Sequence, residues 1–270
     1  MTDWHAFCRV AAAAVEDALA DLPTRTEREP IVALGEGGDE TTAIDEAAES
    51  AVVALLERLH ADGAEFTLVS EELGERSFGA NGVRIVLDPI DGSMNAKRGI
   101  PFFSVSIAVA DGPAMQDVFF GFVFDLGTRE EWTATRGEGA FLNGQALNGP
   151  GPKEEVEMLS FEATTTELVA ERVADMVGLA DRTRIMGSLA LSLCHLAAGR
   201  VDAVCSLKPA RSVDIAAAQL LVRERGLAID LPEAPPFGEA PLDQAGRSRE
   251  VAATSPERCA ELFSRLSASR

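Results

Sequence analysis

Two carboxylates three residues apart close an apolar run, Arg84-Ile85-Val86-Leu87-Asp88-Pro89-Ile90-Asp91-Gly92-Ser93. The run reads as a buried strand ending on Asp88, then a proline-fixed bend, then a second acid, so Asp88 and Asp91 can converge. Gly92-Ser93 opens a stretch able to turn helical, where the N–H groups at a helix start suit a phosphate. A cation and an anion would be neighbours there. D-P-x-D-G is equally ordinary turn chemistry, since Pro presets φ and Asp and Gly favour tight turns. Further acids bear on the choice. Glu71-Glu72 follow Val69-Ser70 at the end of another predicted strand, and Asp214 opens the apolar helix of Ser212-Val213-Asp214-Ile215-Ala216-Ala217. Taken singly, Asp214 is an N-cap and the glutamates are a solvated pair. Taken together, oxygen donors from several elements, without His or Cys, suit Mg²⁺ and can bridge more than one ion.

Other chemistries lack their residues. There is no G-x-x-x-x-G-K-[ST] and no G-x-S-x-G, so a P-loop and an α/β-hydrolase nucleophile drop out. His5, His60 and His195 are the only histidines, and none pairs with another at metal-ligand spacing. His195, on an apolar helix, reads as a packed core residue. Cys8, Cys194, Cys205 and Cys259 are far apart and read as reduced, buried thiols. Gly137 to Leu142 lacks the third glycine of a dinucleotide fingerprint and reads as a turn.

The 270 residues carry 24 basic against 44 acidic side chains, a net charge of −20. A nucleic-acid partner or an anionic membrane surface is therefore not expected. The 46% hydrophobic content is that of a folded chain. The longest uncharged run, between Arg184 and Arg200, is shorter than the ~20 residues of a membrane span. Met1-Thr2-Asp3 begins acidic where a secretion signal is basic, so a cytoplasmic location is expected.

The elements that must position the acids follow from periodicity. Helices are predicted over 3–22, where Pro23 stops the helix, and over 46–60. Strands at 66–69, 84–87, 103–110, 118–125 and 131–135 suggest a mainly antiparallel sheet. Glycines and prolines from Gly137 to Pro152 mark a junction near Gly149, giving units 1–148 (α+β) and 149–270 (α/β). In the second unit strands at 158–161, 184–186 and 203–206 alternate with helices at 167–177, 189–198 and 212–225. A Pro- and Glu-rich loop over 231–246 precedes a strand near Val251 and a helix over 256–266.

At these residues the sequence resembles the inositol monophosphatase and fructose-1,6-bisphosphatase superfamily of Mg²⁺-dependent, lithium-sensitive sugar phosphatases. The resemblance spans nearly the whole chain. It rests on T-T-A-I-D (Thr41 to Asp45), S-E-E (Ser70 to Glu72), D-P-I-D-G-S (Asp88 to Ser93), G-E-G-A-F-L-N-G (Gly137 to Gly144), G-S-L-A (Gly187 to Ala190) and V-D-I-A-A-A (Val213 to Ala218). R-S-V-D at Arg211 to Asp214 and S-E-E-L-G at Ser70 to Gly74 look closest to the archaeal branch acting on both inositol phosphate and fructose bisphosphate. Departures surround the site: Ala96 stands where an aromatic is usual, and Val213 where Trp is frequent.

The resemblance implies a layered αβαβα sandwich with an α+β half, an α/β half and the site in the cleft between. It implies that Glu72, Asp88 and the Ile90 carbonyl hold one Mg²⁺, and that Asp88, Asp91 and Asp214 hold a second. Asp45, Glu72 and Ser93 are the implied catalytic residues, Asp45 and Ser93 orienting the attacking water and Asp45 touching a third, weaker ion through water. Glu71 would stand behind the ligands. The Gly92 and Ser93 amides would hold the phosphate; Gly187, Ser188 and Leu189 would meet the leaving group, and Arg211 or Lys208 a second phosphate. The implied substrate is a phosphorylated sugar or polyol, with inositol 1-phosphate and fructose 1,6-bisphosphate foremost, and the implied assembly is a homodimer. Two alternatives are a phosphatase for 3′-phosphoadenosine 5′-phosphate or NADP, and a regulatory or binding protein on the same scaffold.

Overall fold

A computed structural model describes residues 2–35, 40–79, 82–234 and 236–267. The first helix, α1 (Trp4–Ala20), is capped by the Asp3 side chain, which accepts from Ala6 N at 3.0 Å. Its buried Cys8, Ala11, Ala12, Val15 and Leu19 recur at helical spacing. A single turn, α2 (Arg25–Arg28), leads into a hairpin of β1 (Ile31–Leu34) and β2 (Glu40–Thr42) that the periodicity does not announce. There Thr42 and Asp45 form a reciprocal capping box at the start of α3 (Ala43–Ala61), which packs on α1.

Strands β3 (Phe66–Ser70), β4 (Gly74–Phe78) and β5 (Arg84–Asp91) follow, then the short α4 (Ser93–Arg98). A meander of β6 (Ser104–Ala110), β7 (Val118–Asp125), β8 (Glu131–Thr135), β9 (Gly139–Leu142) and β10 (Gln145–Ala146) completes an eight-stranded sheet, ordered β10-β9-β8-β7-β6-β5-β3-β4. It is antiparallel except where β3 runs parallel to β5. The turn expected over Gly137 to Leu142 is confined to 136–138, where Gly137 takes positive φ; Gly139 to Leu142 is strand β9, which pairs with β8.

The second sheet is built from β11 (Val156–Glu162), α5 (Thr166–Arg172), β12 (Ala180–Arg184), α6 (Leu189–Ala197), β13 (Ala203–Ala210), α7 (Ser212–Glu224), β14 (Ala228–Asp230), β15 (Ser248–Ala253) and α8 (Pro256–Ser267). Its order is β12-β11-β13-β15-β14, with β12, β11 and β13 parallel. Strand β12 lies at 180–184, a few residues earlier than its apolar signal at Ile185-Met186 predicts.

Three cores separate five layers. Helices α1 and α3 bury Val15, Val52 and Leu56 against one face of the first sheet. Helices α6 and α7 fill the space between the sheets, joining Val86, Trp132, Leu191, Leu220 and Val204. On the far side α8 packs Cys259, Leu262 and Leu266 against Phe161 and Val251. This is the αβαβα order the resemblance implies. Helix α7 approaches β7 closely: a Cβ on Gly121 of β7 would lie 2.4 Å from the Ala217 carbonyl of α7. All four cysteines are free and buried, and among the described residues no helix is long and apolar enough to cross a membrane.

Candidate active site

Strict alternation along β5 would turn Asp88 and Asp91, three apart, to opposite faces. The ladder to β6 slips between them: Asp88 pairs with Ser106 and Asp91 with Ser104. Pro89, which cannot donate to a ladder, sits in that irregularity. Both carboxylates thereby line one cavity of about 750 Å³, with Glu71, Ser93, Glu162, Arg211 and Asp214 also on its walls. Asp88 accepts from Ile90 N at 2.9 Å. Gly92, at φ 97°, turns the chain into α4; a Cβ there would meet the Gly187 carbonyl at 2.9 Å, so the residue must be glycine for space as well as for φ.

Asp214 arrives from the second half of the chain, in the first turn of α7 just after β13. Its carboxylate accepts from Arg211 N at 2.7 Å and from the Arg211 guanidinium at 3.0 Å, and the same Arg211 Nη2 reaches Glu71 Oε1 at 2.6 Å. Among the described residues the acids do not close into a preformed cage of three or more metal donors; Arg211 supplies their counter-charge. The protonation equilibria record the crowding. Burial first, then the charges of Glu71, Asp91 and Asp214, push Asp88 well above the carboxylate range. Glu71 is pushed up to about 7, chiefly by burial, against the pull of Arg211. Asp91 is also pushed up to about 7 by burial, opposed by the Ser188 hydroxyl.

The paired glutamates lie the other way round from the expectation. Alternation from β3 would put Glu72 with the ligands and Glu71 behind, but β3 ends at Ser70 and both glutamates lie in a turn. Glu71 therefore faces the cavity, next to Asp88 and Arg211. Glu72 turns to the Thr41 hydroxyl and stands near Asp45, whose carboxylate is held by Thr42 N at 3.0 Å and by the Thr42 hydroxyl. Asp45 is thus one layer back from the cavity wall.

The leaving-group side also differs in detail. Ser188 donates its hydroxyl to Asp91, Leu189 N lies 3.3 Å and Ala190 N 2.8 Å from the same carboxylate, and Gly187 N donates to Glu162 at 2.8 Å. Arg211 is engaged by two acids, whereas Lys208 is exposed on the cavity wall. His195 is packed against Phe102 and Trp132, with burial lowering its pKa.

A model of the inositol monophosphatase family matches residues 4–267. The chain belongs to this family. It is 34% identical over 234 residues to the fructose-1,6-bisphosphatase/inositol-1-monophosphatase of Methanothermobacter thermautotrophicus, covering 83% of this chain and 82% of that one. It is 36% identical over 195 residues to the Nus factor SuhB of Pasteurella multocida, 70% of each chain. A solved inositol monophosphatase-fructose 1,6 bisphosphatase superposes with a TM-score of 0.84 at 26% identity, over 98% of this chain and all of that one. Membership makes the chain a phosphatase of a generally metal-dependent family that acts on phosphorylated sugars. The cavity aspartates of this chain were legible in its sequence. Three further polar groups at this site were not: Asn95, whose Nδ2 donates to Met186 O at 2.7 Å; Gln244, whose amide reaches Glu71 O at 2.8 Å; and Glu162. Glu162 did leave a signal, an acid closing the otherwise apolar Met158 to Phe161 run.

Proposed function

We propose that the chain hydrolyses the monoester of a phosphorylated sugar or polyol in a Mg²⁺-dependent reaction, with inositol 1-phosphate and fructose 1,6-bisphosphate as leading substrates. The observation that carries this reading is the convergence of Glu71, Asp88, Asp91 and Asp214, from both halves of the fold, on a cavity that also contains the α4 start. An oxygen-only donor set fits Mg²⁺, which keeps several waters and needs no complete protein cage. Glu71, Asp88 and the Ile90 carbonyl would hold one ion, and Asp88, Asp91 and Asp214 a second, with a third weaker place near Asp45. Bound there, Mg²⁺ supplies positive charge to the phosphate and lowers the pKa of water.

The chain's own groups do the rest. Gly92 and Ser93 offer first-turn amides to phosphate oxygens. The Ser93 hydroxyl, on the wall, and Asp45, behind it, orient the attacking water. Glu72 assists from the Thr41 side rather than as a ligand. Gly187, Ser188 and Leu189 form the leaving-group wall, and Lys208 is the base offered to a second phosphate, since Arg211 is spent on Glu71 and Asp214.

The test is phosphate release from inositol 1-phosphate, fructose 1,6-bisphosphate and 3′-phosphoadenosine 5′-phosphate, with and without Mg²⁺, against Asp88→Asn. Release from the first two, lost without the ion and in the variant, supports the reading. Release only from the nucleotide redirects it to that substrate class. A folded, Mg²⁺-binding protein that releases nothing overturns it.

A further inference from the structure

Two carboxylates from different sheets divide one loop between them. Asp91, ending β5, takes the Ser188 hydroxyl and the Leu189 and Ala190 amides. Glu162, ending β11, takes Met186 N at 3.2 Å and Gly187 N at 2.8 Å. Asn95 adds a bond to the Met186 carbonyl from the first half. Glu162 is only 1% exposed, yet it lies on the cavity wall. Its aim is fixed by the Ser160 and Ser192 hydroxyls, each donating at 2.8 Å.

The foundation beneath it is a polar row on one sheet face. Glu162 pairs in register with Ser206 of β13, whose hydroxyl accepts from Glu250 N of β15 at 2.7 Å. All three side chains are buried. A buried carboxylate with four donors is a rigid acceptor, and charged hydrogen bonds of this kind are the strong ones. Asp91 has a divided task under the proposed reaction, because a cation drawing on its oxygens competes with the amides it holds. Glu162 has no such competitor.

We propose that Glu162 is a positioning residue for the reaction: it keeps the Met186–Ser188 turn pressed into the cavity, so that the leaving-group side of a sugar or polyol phosphate meets a preformed wall. The inference rests on the phosphatase reading of this cavity. Glutamine at this position keeps one acceptor for the hydroxyl side and turns an N–H₂ towards the Gly187 amide, a donor facing a donor.

The experiment compares the wild type with Glu162→Gln and with Glu250→Gln, which alters the same polar row without touching the turn. In Glu162→Gln, hydrogen exchange in a peptide spanning residues 185–190 accelerates at least tenfold, and KM rises about tenfold, the scale of one lost hydrogen bond to a charged group. Its kcat stays within about threefold and its Mg²⁺ affinity by calorimetry is unchanged. Glu250→Gln changes neither exchange in that peptide nor KM. Unchanged exchange in Glu162→Gln, or a fall in kcat with KM constant, overturns the proposal. If Glu162→Gln does not fold, Ser192→Ala carries the same comparison, with a two- to threefold KM rise expected and no rise counting against it. Absence of turnover in the wild type defeats the phosphatase reading instead, and the exchange measurement still decides whether Glu162 holds the turn.

Discussion

Arg211 Nη2 and Glu71 Oε1 meet at 2.6 Å across the cleft, one residue at the start of α7 and the other just past β3. The guanidinium, with its side chain 21% exposed, also binds Asp214, so one cation neutralises acids from both halves. Removing one partner of this partly buried pair leaves the other charges uncompensated, at a cost near the lower end of the about 3–5 kcal/mol of fully buried pairs. Arg211→Gln is therefore expected to lower unfolding free energy by about 3 kcal/mol in chelator. The deficit should shrink when Mg²⁺ is added, because a divalent ion then supplies the missing charge. Urea unfolding in both conditions checks it; an equal deficit with and without Mg²⁺ contradicts the counter-ion role.

The order of the paired glutamates makes a sharper comparison. Glu71 faces Asp88 and Arg211, while Glu72 faces Thr41. Glu71→Gln should weaken Mg²⁺ binding and reduce phosphate release at least a hundredfold, and Glu72→Gln should cost tenfold or less. The opposite ranking in calorimetry and turnover would restore Glu72 as the ligand.

That pair also marks where sequence reading ends. The helices at 4–20 and 43–61 were legible in their bodies, from apolar spacing and from Pro23 after the first, but the second starts three residues before the predicted 46, at the Thr42/Asp45 capping box, and ends just before Gly63, whose φ is 99°. The cavity aspartates were legible because acids at the ends of apolar runs are costly without a purpose. The facing of Glu71 and Glu72 was not, since strand alternation stops carrying information once β3 gives way to a turn at Ser70. Nor was the use of Arg211. Its partner Glu71 is far off in sequence, and only the packing of α7 between the sheets brings them together. The β1/β2 hairpin escaped notice because Ile31 to Leu34 is exposed on every residue, without a buried face to set a period.

The close approach of α7 to β7 predicts a steric effect with no role for charge. A methyl on Gly121 would fall 2.4 Å from the Ala217 carbonyl and 3.2 Å from its carbon, both backbone atoms. Backbone cannot rotate away as a side chain does, so α7 must shift and carry Asp214 with it. Gly121→Ala is expected to destabilise the fold by about 1–3 kcal/mol. It should also weaken Mg²⁺ binding severalfold, though it touches no carboxylate. A stability loss with unaltered Mg²⁺ affinity, measured by urea unfolding and calorimetry, would mean that the helix start is held independently of its middle.

Glu250 is fully buried, neither of its side-chain oxygens has a hydrogen-bond partner among the described residues, and the nearby charge of Glu162 adds to the effect of burial in pushing its pKa well above the carboxylate range. The unfolded chain releases this proton near pH ~4.3. Above that pH, up to the raised folded value, the folded protein binds one proton more than the unfolded chain, so stability falls as pH rises through the window. The slope from this single group is about 1.4 kcal/mol per pH unit. Glu250→Gln removes the titration and keeps the shape, and the remaining buried acids contribute alike to both proteins. Urea unfolding in chelator at pH 5, 6 and 7 should therefore find the Gln variant gaining on the wild type by about 1 kcal/mol or more per unit. A constant difference across that range would mean that Glu250 is ionised in the fold, with its charge compensated by a bound cation or by ordered water.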